Sequence, residues 1–318
     1  MPASDDARWL AAAAGLAERA RPLSRPNPAV GAIVVKDDVV VGRGWTQPGG
    51  RPHAEAVALA QAGENAQGAT LYATLEPCAH SSERGPACAD FAIAAGLART
   101  IVGVADPDPR TTGEGVARLT AAGCDVTVAN DESCRRSLEG YLIRAVQHRP
   151  HVTLKLAVTA DGFIARPDGT SKWITGEAAR AHAHRERARA EAILVGGGTL
   201  RADNPSLDVR LPGIEERSPQ KWLLTRGEAP DGWTAIAEPR SIAGRGLQYL
   251  FVEGGAETAA AFLDARLVDR LLLYRSPAEF GEGIPAFRNA GASSVPEGWR
   301  MSDRRMLGSD TLEVYQPA

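Results

Sequence analysis

The apolar positions of this chain change period repeatedly, and each change marks an element. Trp9, Leu10, Ala13, Leu16 and Ala17 recur at helical spacing behind Ser4, Asp5 and Asp6, a capped and acid-tipped helix start. Pro22 and Pro26 close that helix. A short apolar run, Ala32 to Val35, then reads as a strand, turns at Lys36-Asp37-Asp38, and returns through Val39 to Val41. Gly42, Gly44, Gly49 and Gly50 predict a loop, and Pro52 leads into a helix over 53–62. Further alternation predicts strand 70–75, helix 87–95, strand 100–105, helix 114–122 and strand 125–128. A linking helix over 132–147 carries Leu138, Tyr141, Leu142 and Val146 on one side.

After His148-Arg149-Pro150 the pattern restarts. Val152 to Val158 predicts a strand, followed by Phe163-Ile164-Ala165 and a basic helix over about 177–190 with Arg180, Arg185, Arg187 and Arg189. Two apolar strands then run into glycine turns, 192–195 into Gly196-Gly197-Gly198 and 249–252 into Gly254-Gly255. Strands 271–274 and 312–315 complete the reading. The stretch 213–245 carries no assignable period. Strands alternating with helices mean layered α/β sheets, and the restart predicts two domains, 1–150 and 151–318.

Composition narrows the function classes. The 318 residues are 44% apolar and 24% charged, the balance of an ordinary globular protein. A net charge of −3 provides no cationic footprint for phosphate backbones, so a nucleic-acid partner is not expected. Four cysteines are too few for a disulfide scaffold and suit a reducing compartment. The acidic start lacks a signal-peptide core, and no apolar run approaches 18 residues, so a cytoplasmic protein without membrane spans is expected.

Candidate chemistry sits at His53-Ala54-Glu55, Pro77-Cys78 and Cys88. One imidazole and two thiolates suit zinc, and three protein ligands leave a fourth position for water. Glu55 stands near enough to exchange a proton with that water without ligating. This is H-x-E…P-C-x(9)-C, close to the zinc deaminase signature, whose cysteines usually stand closer. A structural zinc with His80 as fourth ligand is the competing reading. The two glycine turns of the second half suit a phosphate-bearing cofactor at helix amino termini.

The chain resembles the bifunctional riboflavin-biosynthesis family, a pyrimidine deaminase fused to a 5-amino-6-(5-phosphoribosylamino)uracil reductase. The resemblance rests on Asn27-Pro28-Ala29-Val30-Gly31, His53-Ala54-Glu55, Thr74 to His80 and Asp106-Pro107-Asp108-Pro109. In the second half it rests on Leu154 to Ala157, Ser171-x-Trp173-Ile174-Thr175, Ala202-Asp203-Asn204-Pro205 with Arg210, and Val252 to Gly255. It implies a cytidine-deaminase-like layered sheet followed by a dihydrofolate-reductase-like domain. It implies zinc on His53, Cys78 and Cys88, Glu55 as proton shuttle, and pyrimidine contacts from Asn27 and His80. In the reductase it implies substrate contacts from Lys155, Ser171, Arg187, Leu207, Arg210 and Glu253. NADPH would meet Val158, Trp173, Thr199, Asp203, Gly254 and Gly255. A small phosphoribosyl pyrimidine and further copies of the chain are the implied partners.

The chain also departs from the family. The Cys78–Cys88 loop is one residue longer than usual, Thr46 stands where many members carry a histidine, and Gly113-Glu114-Gly115 replaces a usual Gly-Arg-Gly. The stretch 210–248 is shortened, which leaves an alternative: an active deaminase with a decayed or altered reductase. A nucleic-acid base deaminase and a non-catalytic zinc-stabilised binding protein are the other rivals. The acidic balance and 5% aromatic content weigh against the first, and Glu55 against the second.

Overall fold

The computed structural model describes residues 4–80, 85–171, 174–288 and 295–318. The chain divides into two compact units, residues 1–148 and 149–318.

The first unit runs α1 (Ser4–Ala17), β1 (Gly31–Lys36), β2 (Val39–Trp45), α2 (Ala54–Ala62), β3 (Thr70–Leu75), α3 (Cys88–Ala94), β4 (Arg99–Val104), α4 (Glu114–Ala121), β5 (Asp125–Val128), α5 (Glu132–Ser137) and α6 (Glu139–Gln147). Its sheet has the order β2-β1-β3-β4-β5, with β1 antiparallel to both neighbours and β3, β4 and β5 parallel. Small residues bring the helices close. A Cβ on Gly31 would lie 2.0 Å from the Ala13 carbonyl of α1. One on Gly42 or Gly44 would lie 2.1 or 2.3 Å from carbonyls of α2. Gly31 and its neighbour Ala32 point to opposite faces, and Ala32 pairs with Gly44, so α1 and α2 cover opposite sides of the sheet. Gly42 and Gly44 are therefore strand residues kept small for helix contact rather than the predicted loop. Leu10, Leu71, Ile101, Leu119 and Leu138 are fully buried in the layers.

The predicted single linking helix breaks at Leu138, whose φ of −106° and ψ of 3° separate α5 from α6. Leu138 is fully buried, whereas Val146, assigned to the same apolar side, is 67% exposed. The break changes the helical phase, and the residues beyond it no longer continue one stripe.

The second unit runs β6 (His151–Val158), β7 (Phe163–Ala165), α7 (Glu177–Arg187), β8 (Ala192–Gly196), α8 (Gly197–Asp203), β9 (Gln220–Leu224), β10 (Thr234–Ile236), β11 (Tyr249–Glu253), α9 (Ala256–Asp264), β12 (Arg270–Arg275), β13 (Ile284–Pro285), β14 (Trp299–Leu307) and β15 (Asp310–Pro317). Eight strands form one sheet in the order β10-β9-β8-β11-β6-β12-β15-β14, parallel from β10 to β12 and antiparallel beyond. The central strands are buried on both faces. Leu250 and Val252 of β11 join one apolar cluster while Phe251 between them joins the other, and Leu271 and Leu272 of β12 divide likewise. Continuous apolar runs follow from that two-sided burial.

Four strands escape the sequence pattern, the two-residue β13 among them. β9 and β10 lie inside the stretch without a period, and β14 is a polar edge strand whose residues are almost all exposed. An edge strand with neither face buried has no reason to alternate. Among the described residues no helix is long and apolar enough to cross a membrane.

Candidate active sites

Each metal-ligand candidate stands where a strand or loop yields to a helix. His53 is the N-cap of α2, and Cys88 is the first residue of α3. Cys78 follows β3 by three residues. His53 Nδ1 lies 3.2 Å from Cys88 Sγ and 3.6 Å from Cys78 Sγ, and the three donor atoms fall within 4.8 Å of one another. Zinc bonds of about 2.0–2.1 Å to nitrogen and about 2.3 Å to sulfur put tetrahedral N···S edges near 3.5 Å. The donor set therefore fits a zinc ion. Hydrogen bonding from Cys88, aided by His53, draws the Cys78 thiol below its ordinary value, which favours the thiolate that a zinc ligand needs. The other ring nitrogen of His53 is 2.9 Å from the Asn27 side-chain amide, which also donates to the Gly50 carbonyl at 3.0 Å. That contact fixes the plane of the ring.

Glu55 is the second residue of α2 and is 3% exposed. Burial pushes its carboxyl up to about 7, against the attraction of His53. Among the described residues His53, Cys78 and Cys88 are the only group of three such side chains with metal-holding geometry. His80 stands outside that group and contacts Thr111 Oγ1 at 3.4 Å instead, which removes the fourth-ligand reading.

These groups open onto a cavity of about 220 Å³ at the carboxyl ends of β3 and β4. Asn27, His53, Glu55, Cys78 and His80 all line it. Thr46 lines it too, but its buried hydroxyl accepts from the Val30 amide at 3.0 Å and is already used. Sequence reasoning missed Arg51, Glu76, Arg110, Tyr141 and Arg144. Glu76 and Arg110 lie within or beside quoted motifs and had that signal. Tyr141 and Arg144 come from α6 and had none.

The second unit has a wider cavity of about 860 Å³, where the carboxyl ends of parallel strands meet the turns that follow them. Lys155, Ser171, Arg187, Leu207, Arg210 and Glu253 line it, together with Thr199, Asp203, Gly254 and Gly255. Paired register sets Lys155 beside Glu253 across β6 and β11, with Nζ 3.7 Å from Oε2. Arg187 grips the same carboxylate with Nε at 2.5 Å and Nη2 at 3.0 Å, and donates to the Asp208 carbonyl at 3.1 Å. Burial alone would raise the Glu253 carboxyl, but Arg187 and Lys155 overcome it and hold the group at about 2. Gly255 caps α9, while Thr199 lies in α8 and Asp203 ends it. A Cβ on Gly196 would lie 2.2 Å from Thr258 Oγ1, and one on Gly254 2.6 Å from Thr258 Cβ, so both glycine turns close on one threonine. Val158 does not line the cavity, since its side chain is buried in the core beside Leu156. Trp173 lies outside the described residues.

Comparison with known families decides the relationship. Residues 150–235 and 237–312 match the family described as RibD C-terminal domain, and residues 3–104 match the cytidine and deoxycytidylate deaminase zinc-binding region. The chain belongs to the RibD family. It is 35% identical to the riboflavin biosynthesis protein RibD of Haemophilus influenzae over 99% of this chain and 98% of that protein. Its counterpart from Aquifex aeolicus is 36% identical, with 98% of each covered. Among solved structures, the deaminase/reductase of Thermotoga maritima superposes with a TM-score of 0.87 at 30% identity, covering 98% of this chain and 99% of that one. A RibD structure from Acinetobacter baumannii gives 0.85 at 31% identity with the same coverage. The RibD match continues through the shortened stretch, so a decayed reductase is not favoured.

Proposed function

We propose that this chain deaminates a phosphoribosylamino-substituted diaminopyrimidine in its first unit and reduces the sugar of the deaminated product in its second. The reading rests on one juxtaposition: a buried carboxyl near pH 7 beside a three-donor zinc set, both facing a cavity of substrate scale. The Thermotoga relative is named for both activities.

His53, Cys78 and Cys88 hold the zinc, whose chemistry when bound is to make water acidic, with a pKa of about 7. With zinc held there, Glu55 would be the group that accepts a proton from water on its carboxylate and returns one to the departing amine. A carboxyl that titrates near neutrality serves both transfers, and such catalysis contributes roughly 10²–10⁴ in rate. Asn27 and His80 orient the pyrimidine. A set of only three protein donors with a buried carboxyl beside it argues against a merely structural metal.

In the second unit NADPH supplies the reducing equivalents when bound at Thr199, Asp203 and the Gly254-Gly255 turn. Lys155, Arg187 and Arg210 present three cations to the phosphoribosyl substrate, with Ser171 and Leu207 beside them. Arg187 offers a planar fork that a phosphate can share, and Glu253 keeps it in place. The remaining expectations are the unit boundaries 1–150 and 151–318 as functional domains, a cytoplasmic location and a homo-oligomer. The exposed edge strand β14, with Met301 44% and Met306 63% exposed, supports the last.

The test is made on the full chain. Ammonia release from the phosphoribosylaminopyrimidine and NADPH oxidation on the deaminated product are followed separately. Both are expected, with one zinc per chain. Ammonia release without any NADPH oxidation would revive the altered-reductase reading.

A further inference from the structure

Glu76 is a buried carboxylate that the proposed chemistry does not use. It stands one residue past β3 and two before Cys78, and it is 2% exposed. Among the described residues no lysine or arginine pairs with it. Its partners are three backbone amides of one segment. Oε2 accepts from Asp106 at 3.3 Å and Gly113 at 3.2 Å, and Oε1 accepts from Val116 at 3.2 Å. Gly113 is the N-cap of α4 and Val116 lies in its first turn. The carboxylate thus caps α4 from another strand, where first-turn N–H groups lack intrahelical partners and favour negative charge.

Between the capped amides lies the segment 106–112, which is braced within itself. Thr112 Oγ1 donates to the carbonyls of Asp106 at 2.7 Å and Asp108 at 2.9 Å. Asp106 Oδ1 accepts from the Asp108 amide at 3.0 Å and from the Tyr141 hydroxyl at 2.6 Å. Arg110 pairs with Asp108 at 2.5 Å, and Thr111 touches His80. Asp106, Asp108 and Arg110 line the same cavity as His53 and Glu55. A Cβ on Gly115 would lie 2.1 Å from the Pro77 carbonyl, so α4 sits directly on the turn that leads to Cys78.

We propose that Glu76 is a positioning residue of the deaminase site: its carboxylate holds the 106–113 segment as a wall against the substrate. Both oxygens are engaged by backbone amides of that segment, which makes holding it the main work of the carboxylate. Its loss moves the wall and leaves Glu55 and the metal donors, which are held at α2, at the start of α3 and just after β3. The effect therefore falls on substrate affinity rather than on the chemical step. This rests on the deaminase reading above.

The test uses the full chain and Glu76→Gln, which keeps the shape but turns an NH₂ toward one of the amides. Amide hydrogen exchange over residues 106–116 should accelerate about tenfold, with the rest of the sheet unchanged. KM for deamination should rise roughly tenfold, the effect of one unmet buried N–H, with kcat within about threefold and one zinc retained. A merely structural role would lower Tm and the active fraction while leaving KM in place, and that result overturns the proposal. Loss of zinc overturns it as well, since the carboxylate would then support Cys78. Thr112→Val loosens the same segment from an exposed position and should raise KM in the same direction. Should Glu76→Gln fail to fold, an unchanged KM in Thr112→Val sinks the idea. If the wild-type chain releases no ammonia, the deaminase reading falls, while unchanged exchange in Glu76→Gln would still refute the brace.

Discussion

The two sites of this chain solve different problems with charged groups. In the first unit the donors of His53, Cys78 and Cys88 lie within 4.8 Å of one another, and Glu55 is buried beside them, where the attraction of His53 only partly offsets burial. In the second, the charges are paired: Glu253 is held by Arg187 and Lys155 in a cavity about four times as large. A small, rigid set suits an ion with fixed bond lengths. A wide cavity lined by a braced cation suits an extended substrate and cofactor, whose phosphates can compete for the guanidinium. Burial that outweighs its partners tunes a proton-transfer group, whereas burial between strong ion pairs holds a group ionised.

The strongest way to break this contrast is His53→Ala or Cys78→Ser. Either should remove zinc and take ammonia release below detection, while NADPH oxidation on the deaminated substrate continues. Elemental analysis and the two assays check it. If NADPH oxidation also vanished, the sites would not be independent.

Glu55→Gln comes next. The amide keeps the shape and cannot accept a proton, so deamination should fall by roughly 10²–10⁴ with zinc retained. Zinc loss in this variant would show Glu55 to be closer to the metal than a proton shuttle.

In the second unit, Arg187→Ala leaves the buried Glu253 carboxylate short of its main partner. A penalty of about 3 kcal/mol in stability and a marked rise in KM for the phosphoribosyl substrate are expected, with deamination intact. Chemical denaturation and the reductase assay measure it; an unchanged stability would mean that Lys155 alone sustains the carboxylate.

The smallest effect is a pH dependence. Glu253 titrates at about 2 when folded, below its ordinary value of 4.5. Its contribution is thus complete above about pH 4.5 and is lost as pH falls toward 2, amounting to roughly 1–3 kcal/mol. The stability difference between wild type and Glu253→Gln should shrink across that window. A constant difference from pH 6 to pH 3 would contradict the depressed pKa.

Local chemistry was legible in the sequence. The zinc candidates and Glu55 lie on short motifs at element boundaries, and the central strands announced themselves as apolar runs because both sheet faces are covered. Proline and glycine marked most ends, although Gly42 and Gly44 read as loop when their smallness serves contact with α2. The stretch 213–245 concealed β9 and β10 because each is short and carries only one or two buried apolar residues, and β14 concealed itself because an exposed edge strand imposes little pattern on side chains.

Tertiary structure decided what comes from a distance. Tyr141 and Arg144 reach the deaminase cavity from α6, and no local pattern ties them to His53. Lys155 and Glu253 become neighbours through the register of β6 and β11, nearly a hundred residues apart in the chain. Only the family resemblance set Arg187 apart from the other cations of its basic helix, and its partner Glu253 came to light with the fold. Sequence motifs carry donor identity because a metal's demands are local and few. The partners of a buried charge depend on which strands lie side by side, and that is settled only when the whole sheet forms.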